Sequence, residues 1–188
     1  NLINTDIFIY NGLGMEEWID SVLGTIEGKD VTILEASEGI NPIFVSEEEH
    51  DHEHSEEAHD HEHLEEGEEH DHNHDHGGVD PHVWLSLSDA IIQADNIKNV
   101  FVDLDPENKD YYEANFENLK TEFTSLHDEY VDKFNTLSNK NFVTGHAAFG
   151  YLCKDFGLTQ KSITGIFDDD GEVKPKDLEE LVNYSKEN

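Results

Sequence analysis

Residues 105–137 read DPENKDYYEANFENLKTEFTSLHDEYVDKFNTL, and everything on either side has to be arranged around them. Asp105 followed by Pro106 supplies an N-cap and then a residue whose fixed φ and missing N–H suit the first helical position. Tyr112, Phe116, Leu119, Phe123, Leu126, Tyr130, Phe134 and Leu137 then step by three and four, the period of one helical face. The pattern predicts one helix of about thirty residues, roughly 45 Å long at 1.5 Å per residue. That length spans a small domain, so the helix reads as a link between two lobes. His127 falls off the apolar stripe and reads as exposed.

Both flanks alternate strand and helix. Before the long helix, DIFIY (Asp6 to Tyr10) is β-branched and aromatic, NGLG is a turn, MEEWIDSVLG has a helical pattern, and VTILE (Val31 to Glu35) is a second strand. Ser86 with Asp89 three residues on makes a capping box, and Ala90, Ile91, Ala94, Ile97, Val100 and Phe101 carry the next helix. After the long helix come a strand over NFVT (Asn141 to Thr144), a helix over HAAFGYLCKDFG, a strand over SITGIF and a helix from Pro175 onward. The expected fold is therefore α/β: residues 1–105 in a first lobe, 106–138 as the linking helix and 139–188 in a second lobe, each with a parallel-type sheet. In such sheets ligands sit at the carboxyl ends of the strands.

Charge restricts the partners. The chain carries 45 acidic residues against 11 basic ones, all lysine, for a formal charge of −34, which repels nucleic acid and anionic membranes and attracts cations. Gly12 and Gly14 resemble half of a dinucleotide fingerprint, but Glu17 stands at the third glycine position, where a carboxylate would repel a pyrophosphate. The single cysteine, Cys153 in YLCKDFG, allows no intrachain disulfide and reads as a small buried hydrophobe. No stretch approaches the roughly 20 apolar residues of a membrane span. NLINTDIFIY opens without Met or a signal-peptide pattern and DLEELVNYSKEN stops inside a helical one, so the chain reads as a fragment lacking both termini.

Ten of the thirteen histidines lie in one insert, residues 47–78, among 15 acids and no lysine up to His76. The unit HDHEH occurs at His50 (His50, His52, His54) and at His59 (His59, His61, His63), and HDHNH at His70 (His70, His72, His74), with His76 beyond. In an extended chain residues i, i+2 and i+4 share a side, so each unit presents three imidazoles together. The interleaved carboxylates favour an arriving cation and also raise histidine pKa values, so protons compete with it. The segment is expected to be disordered without metal and to offer several weak, exchangeable auxiliary sites. A plain solvating spacer is the other reading of such a charge run, but a spacer has no need of ten histidines.

Two further histidines stand where a site is expected. His146 follows a strand and Gly145, and His82 lies in DPHVW just ahead of a helix N-cap. Each alone reads as an ordinary loop histidine; one from each lobe reads as a pair of metal ligands. Imidazole suits Zn²⁺. No HExxH or GxSxG occurs, so metal binding is supported over metal catalysis, and no enzyme activity is expected.

IYNGLGMEEW (Ile9 to Trp18), DPHVWLS (Asp80 to Ser86), GHAAFGYL (Gly145 to Leu152) and KPKDLEELV (Lys174 to Val182) resemble, in order and spacing, the zinc-binding components of bacterial ABC importers, the cluster A-I family. The resemblance covers nearly all of the chain outside the insert. It implies two α/β lobes joined by one rigid helix, with a Zn²⁺ ion as transported ligand in the cleft, His82 as a ligand from the first lobe and His146 as one from the second. It also implies a monomer outside the cytoplasm, as a surface lipoprotein held by an N-terminal lipid anchor or free in a periplasm, serving an ABC permease and its ATPase subunit. Manganese-binding relatives usually carry a carboxylate in the place of His146, so Mn²⁺ is the lesser expectation. The family's acidic, His-rich loop occupies the position of the insert. Its first histidine ligand would lie upstream of Asn1 and its closing carboxylate downstream of Asn188. Leu87 stands where proline is frequent, and Lys174 where a small residue is common. The family also contains surface adhesins, which leaves a metal-dependent adhesion role as an alternative. A metal buffer working through the insert alone is another, and a metal-dependent hydrolase a distant third.

Overall fold

A computed structural model describes residues 2–45, 78–164 and 175–187. Two strand–helix–strand units frame it. In the first, β1 (Ile7–Tyr10) and β2 (Thr32–Glu35) pair in parallel with Ile7 opposite Thr32 and Tyr10 opposite Glu35, connected through α1 (Ile19–Ile26). The helix begins four residues later than MEEW suggests, because the turn before it is held by other means. Gly12, Leu13 and Gly14 all take positive φ, at 89°, 55° and 81°. The Glu16 carboxylate accepts from the Asn11 N–H (2.8 Å) and the Gly12 N–H (3.1 Å). Amides that a nucleotide phosphate would need are thus occupied by the chain's own carboxylate.

The linking part is helical. Helix α2 (Leu87–Leu104) starts as the capping box predicts, with Ser86 Oγ accepting from the Asp89 N–H at 3.0 Å. Asp105 then caps a 3₁₀ turn at Pro106–Asn108, and α3 (Lys109–Asn135) runs 27 residues, about 40 Å. The carboxylate of Asp105 accepts from Asn108 (2.7 Å) and from the Tyr112 hydroxyl (2.9 Å), bonds that hold its pKa below the usual carboxylate range. No described residue of α3 is fully buried, which suits a helix that leans on one neighbour and then the next. Its first half packs on α2, with Phe101 stacked on Tyr112 at 5.4 Å and Lys98 over Phe116 at 5.0 Å.

Its second half packs on α4 (Gly150–Phe156), where Phe156 meets Phe134 at 5.2 Å, His127 at 5.3 Å and Tyr130 at 6.4 Å. His127 is therefore half-buried against an aromatic ring, contrary to the exposed position its place off the stripe suggests. Helix α4 ends at Gly157, in the left-handed region at φ 62°. The second unit pairs β3 (Asn141–His146) with β4 (Thr159–Thr164) in parallel, Asn141 opposite Thr159 and His146 opposite Thr164. Both strands depart from their predicted bounds. His146 ends β3 where a helix start is expected, and β4 begins three residues before Ser162; Gly165–Phe167 lie outside the described residues. Helix α5 (Pro175–Glu187) follows, as the sequence predicts.

The units meet over a small core. Ile40, Val83 and Tyr151 are buried together, with Leu13, Ile43 and Ile92 packed around them. Tyr151 is fully buried, and its hydroxyl donates to the Asp80 carbonyl (2.8 Å) while accepting from the Ile43 N–H (3.1 Å). Ser86 Oγ also donates to Asp155 of α4 at 2.7 Å. Helix α4 is thereby fastened to the segment that precedes α2 at two points.

Candidate metal centre

The site grows from residues 79–83. An isolated antiparallel bridge joins Phe44 to Val79, flanked by Val45 N–H to Gly78 carbonyl (2.8 Å) and Asp80 N–H to Ile43 carbonyl (2.9 Å). The chain therefore leaves toward the histidine-rich insert and returns from it side by side. From the other flank, the Asn11 amide donates to the Pro81 carbonyl (3.0 Å) and accepts from Gln93 of α2 (2.9 Å). His82 follows, at the start of a 3₁₀ turn over Val83–Leu85.

His82 is buried at 8% exposure, and Asp80 at 1%. Asp80 Oδ1 accepts from the His82 backbone N–H (3.0 Å) and lies 2.7 Å from His82 Nδ1. A carboxylate only accepts, so Nδ1 carries the hydrogen and the Nε2 lone pair is left facing outward. That lone pair faces His146: the two Nε2 atoms are 3.3 Å apart, with the rings edge to face at 5.1 Å. Trp84 flanks the His82 ring at 5.4 Å.

His146 is set by β3, the turn after it and β4. Gln160 of β4 donates to the His146 carbonyl (2.8 Å) and to Thr144 Oγ1, while its own carbonyl accepts from the Phe149 N–H at 3.1 Å. Thr144 Oγ1 donates to the same His146 carbonyl at 2.8 Å. The residue stays extended because its carbonyl is engaged by β4 and its neighbour, and the helix waits until Gly150.

The structure thus brings His82 and His146 together, as two imidazole nitrogens able to face one cation. Among the described residues no third His, Cys, Asp or Glu joins them into a three-ligand group. The auxiliary candidates His50, His52, His54, His59, His61, His63, His70, His72, His74 and His76 all lie outside the described residues. Sequence reasoning missed Asp80, Asn11, Tyr151 and Gln160 as supports. Asn11, Asp80 and Tyr151 lie within quoted motifs and Gln160 lies in none, and only the tertiary contacts show what each holds. Cys153 is half-buried, and burial pushes its thiol pKa up.

Known proteins resemble this chain in sequence and in fold. Residues 1–188 match the family described as ZnuA, zinc-uptake complex component A, periplasmic. The chain is 38% identical over 187 residues to the high-affinity zinc uptake system protein ZnuA of Bacillus subtilis (strain 168), covering 100% of this chain and 54% of that protein. It is 34% identical over 186 residues to the zinc-binding lipoprotein AdcA of Streptococcus pneumoniae (strain ATCC BAA-255 / R6), covering 98% of this chain and 34% of that one. The chain thus spans about half the length of the first of these relatives and a third of the second. Among solved structures, the laminin-binding protein Lmb of Streptococcus agalactiae, described as bifunctional with adhesin and metal-transporting activity, superposes with a TM-score of 0.75 at 28% identity, over 99% of this chain and 59% of that one. A Zn(II)-bound variant of Streptococcus pneumoniae AdcAII does so at 0.74 and 29%, over 98% and 60%.

Proposed function

This chain belongs to the ZnuA family of zinc-uptake components, and from that premise we propose that it captures Zn²⁺ between its lobes, with His82 and His146 as ligands, for import through an ABC permease and its ATPase subunit. The observation that carries the reading is the 3.3 Å between the two Nε2 atoms. Two nitrogens bound at about 2.0 to 2.1 Å in a zinc tetrahedron lie about 3.3 to 3.4 Å apart, so the pair already spans one tetrahedral edge. The Asp80–His82 contact supports it, because a carboxylate on the far ring nitrogen is the usual backing of a zinc-ligating imidazole. Two imidazoles also favour Zn²⁺ over Mn²⁺, which prefers oxygen ligands.

The ion is cargo here and the protein a carrier, not an enzyme. Other ligands complete the coordination in the whole protein, which works as a monomer outside the cytoplasm, free or lipid-anchored. The insert 47–78 collects or senses zinc beside the cleft. Its root supports this, since Asp80 belongs to the short ladder that closes the insert. Competition titration of the intact protein with a zinc chelator tests the assignment, using His82→Ala, His146→Ala and a deletion of residues 47–76. The deletion is expected to remove weak sites and spare one tight site, whereas each His→Ala variant loses it. Unchanged tight binding in both His→Ala variants would overturn the cleft assignment.

A second reading, metal-dependent surface adhesion, is favoured by the likeness to Lmb. Growth of a deletion strain under zinc chelation separates the two, because only an importer's loss starves the cell.

A further inference from the structure

We propose that Asp80 is the positioning residue of this zinc site, holding His82 in the tautomer that exposes Nε2 and supplying the buried negative charge that a bound cation neutralises. The proposal rests on the zinc reading above and adds to it a group that touches no metal.

Three observations carry it. The Asp80 side chain is among the most buried in the described molecule, at 1% exposure, yet only Oδ1 has partners, both of them on His82 (3.0 and 2.7 Å). Oδ2 has no hydrogen-bond partner among the described residues. A carboxylate so placed is costly unless it is paired or serves a charge nearby. Its ion-pair partner among the described residues is the imidazole of His82. A divalent cation on the far nitrogen of that ring is the charge this arrangement lacks.

The second observation is the cradle. A Cβ on Gly150, the first residue of α4, would come within 2.7 Å of Asp80 Oδ2. Helix α4 can therefore approach the carboxylate only with glycine at this position. The third is the backbone of residue 80, whose N–H donates to the Ile43 carbonyl (2.9 Å) and whose carbonyl accepts from Tyr151 (2.8 Å). Both backbone polar groups and one carboxylate oxygen are engaged, so the side chain has little freedom to leave His82. A group fixed this firmly around one imidazole is built to aim it.

Capping the turn is the competing structural role, and Asp80→Asn separates the two. The amide oxygen still accepts from the His82 N–H, so the turn survives while the charge is gone. In the intact protein, chelator competition is expected to show Asp80→Asn binding Zn²⁺ about 10- to 100-fold more weakly at the tight site, with an unchanged circular dichroism spectrum. Gly150→Ala, which displaces the carboxylate without touching a ligand, is expected to weaken binding in the same direction, and to cost nothing further in an Asp80→Ala background. Imidazole ¹H–¹⁵N spectra of the metal-free protein give a readout independent of zinc: His82 is expected as the Nδ1–H tautomer, lost in Asp80→Ala. Zinc affinity within twofold of wild type in both Asp80→Asn and Gly150→Ala overturns the proposal, as does an Nε2–H tautomer for His82 in the wild type. If His82→Ala is also silent, the cleft reading itself has failed; if His82→Ala weakens binding and Asp80→Asn does not, only the positioning role has.

Discussion

Replacing Tyr151 by Phe removes one oxygen atom and tests the joint on which the site depends. The hydroxyl donates to the Asp80 carbonyl at 2.8 Å and accepts from the Ile43 N–H at 3.1 Å, and the residue is fully buried. Burial also pushes the phenol pKa above its usual value, so the hydroxyl keeps its proton at any pH of interest. Each bond contributes about 0.5 to 1.5 kcal/mol net, and an acceptor left dry and unpaired costs about 1 to 3 kcal/mol. Asp80 is sealed from water while Ile43 is only half-buried, so most of the penalty falls on the carbonyl. The sum is about 2 to 3 kcal/mol, which for a protein of this size lowers the thermal midpoint by about 5 to 10 °C. Urea denaturation followed by circular dichroism measures it. Tyr112→Phe is the control: its hydroxyl meets the half-buried Asp105 carboxylate at 2.9 Å, which water can still reach, and it should cost less than half as much. A loss below about 0.5 kcal/mol in Tyr151→Phe, or equal losses in the two variants, would refute the claim that this hydroxyl joins the units.

Three other changes probe the frame around that joint. Ser86→Ala removes the cap on Asp89 N–H and the 2.7 Å bond to Asp155, and is expected to lower unfolding free energy by about 2 kcal/mol in urea titrations. Burial pushes the Asp89 carboxyl above its usual range, with Asp155 adding to the shift and Lys154 and Ser86 opposing it. The fold therefore holds that proton more tightly than the unfolded chain does, and stability is lost as pH rises through the carboxylate range. Asp89→Asn is accordingly expected to raise the thermal midpoint at neutral pH and to match wild type once the pH falls below the unfolded carboxylate pKa. Gly12→Ala places a residue at φ 89° with its Cβ overlapping the Glu35 carboxylate, and is expected to cost about 2 to 3 kcal/mol by urea midpoint.

The long helix, the flanking strand–helix–strand units and the Ser86 cap were legible because each is written in local periodicity or in a few adjacent residues. What escaped was set by partners far away in sequence. His146 and the residues after it have a helical composition, yet Gln160, fourteen residues on, engages the His146 carbonyl and the Phe149 amide and keeps His146 in the strand. The polar run Thr159 to Lys161 shows no strand pattern, and β4 includes it because parallel pairing with β3 supplies its bonds. His127 lies off the apolar stripe, yet it reaches Phe156 of α4 beside the stripe's own Tyr130 and Phe134, a contact that only the position of α4 decides.

The candidate centre shows the same division at finer scale. Sequence placed His82 ahead of a helix N-cap and His146 just after a strand, but it could not say that their nitrogens would face each other at 3.3 Å. That separation is produced by residues that bind nothing themselves: Asn11 holding Pro81, Tyr151 holding residue 80, Asp80 holding the His82 ring and Gln160 holding His146. Three of the four lie within the motifs that resemble the zinc importers, and none is a ligand in the proposed site. It follows that a motif such as DPHVW has to keep more than its histidine. A chain with the two histidines and without Asp80 or Tyr151 would bring the same imidazoles to the same lobes, with nothing to choose their tautomer or their distance. On the proposed reading, Zn²⁺ would then have to organise the site as it bound, at a cost in affinity, instead of finding one tetrahedral edge already built.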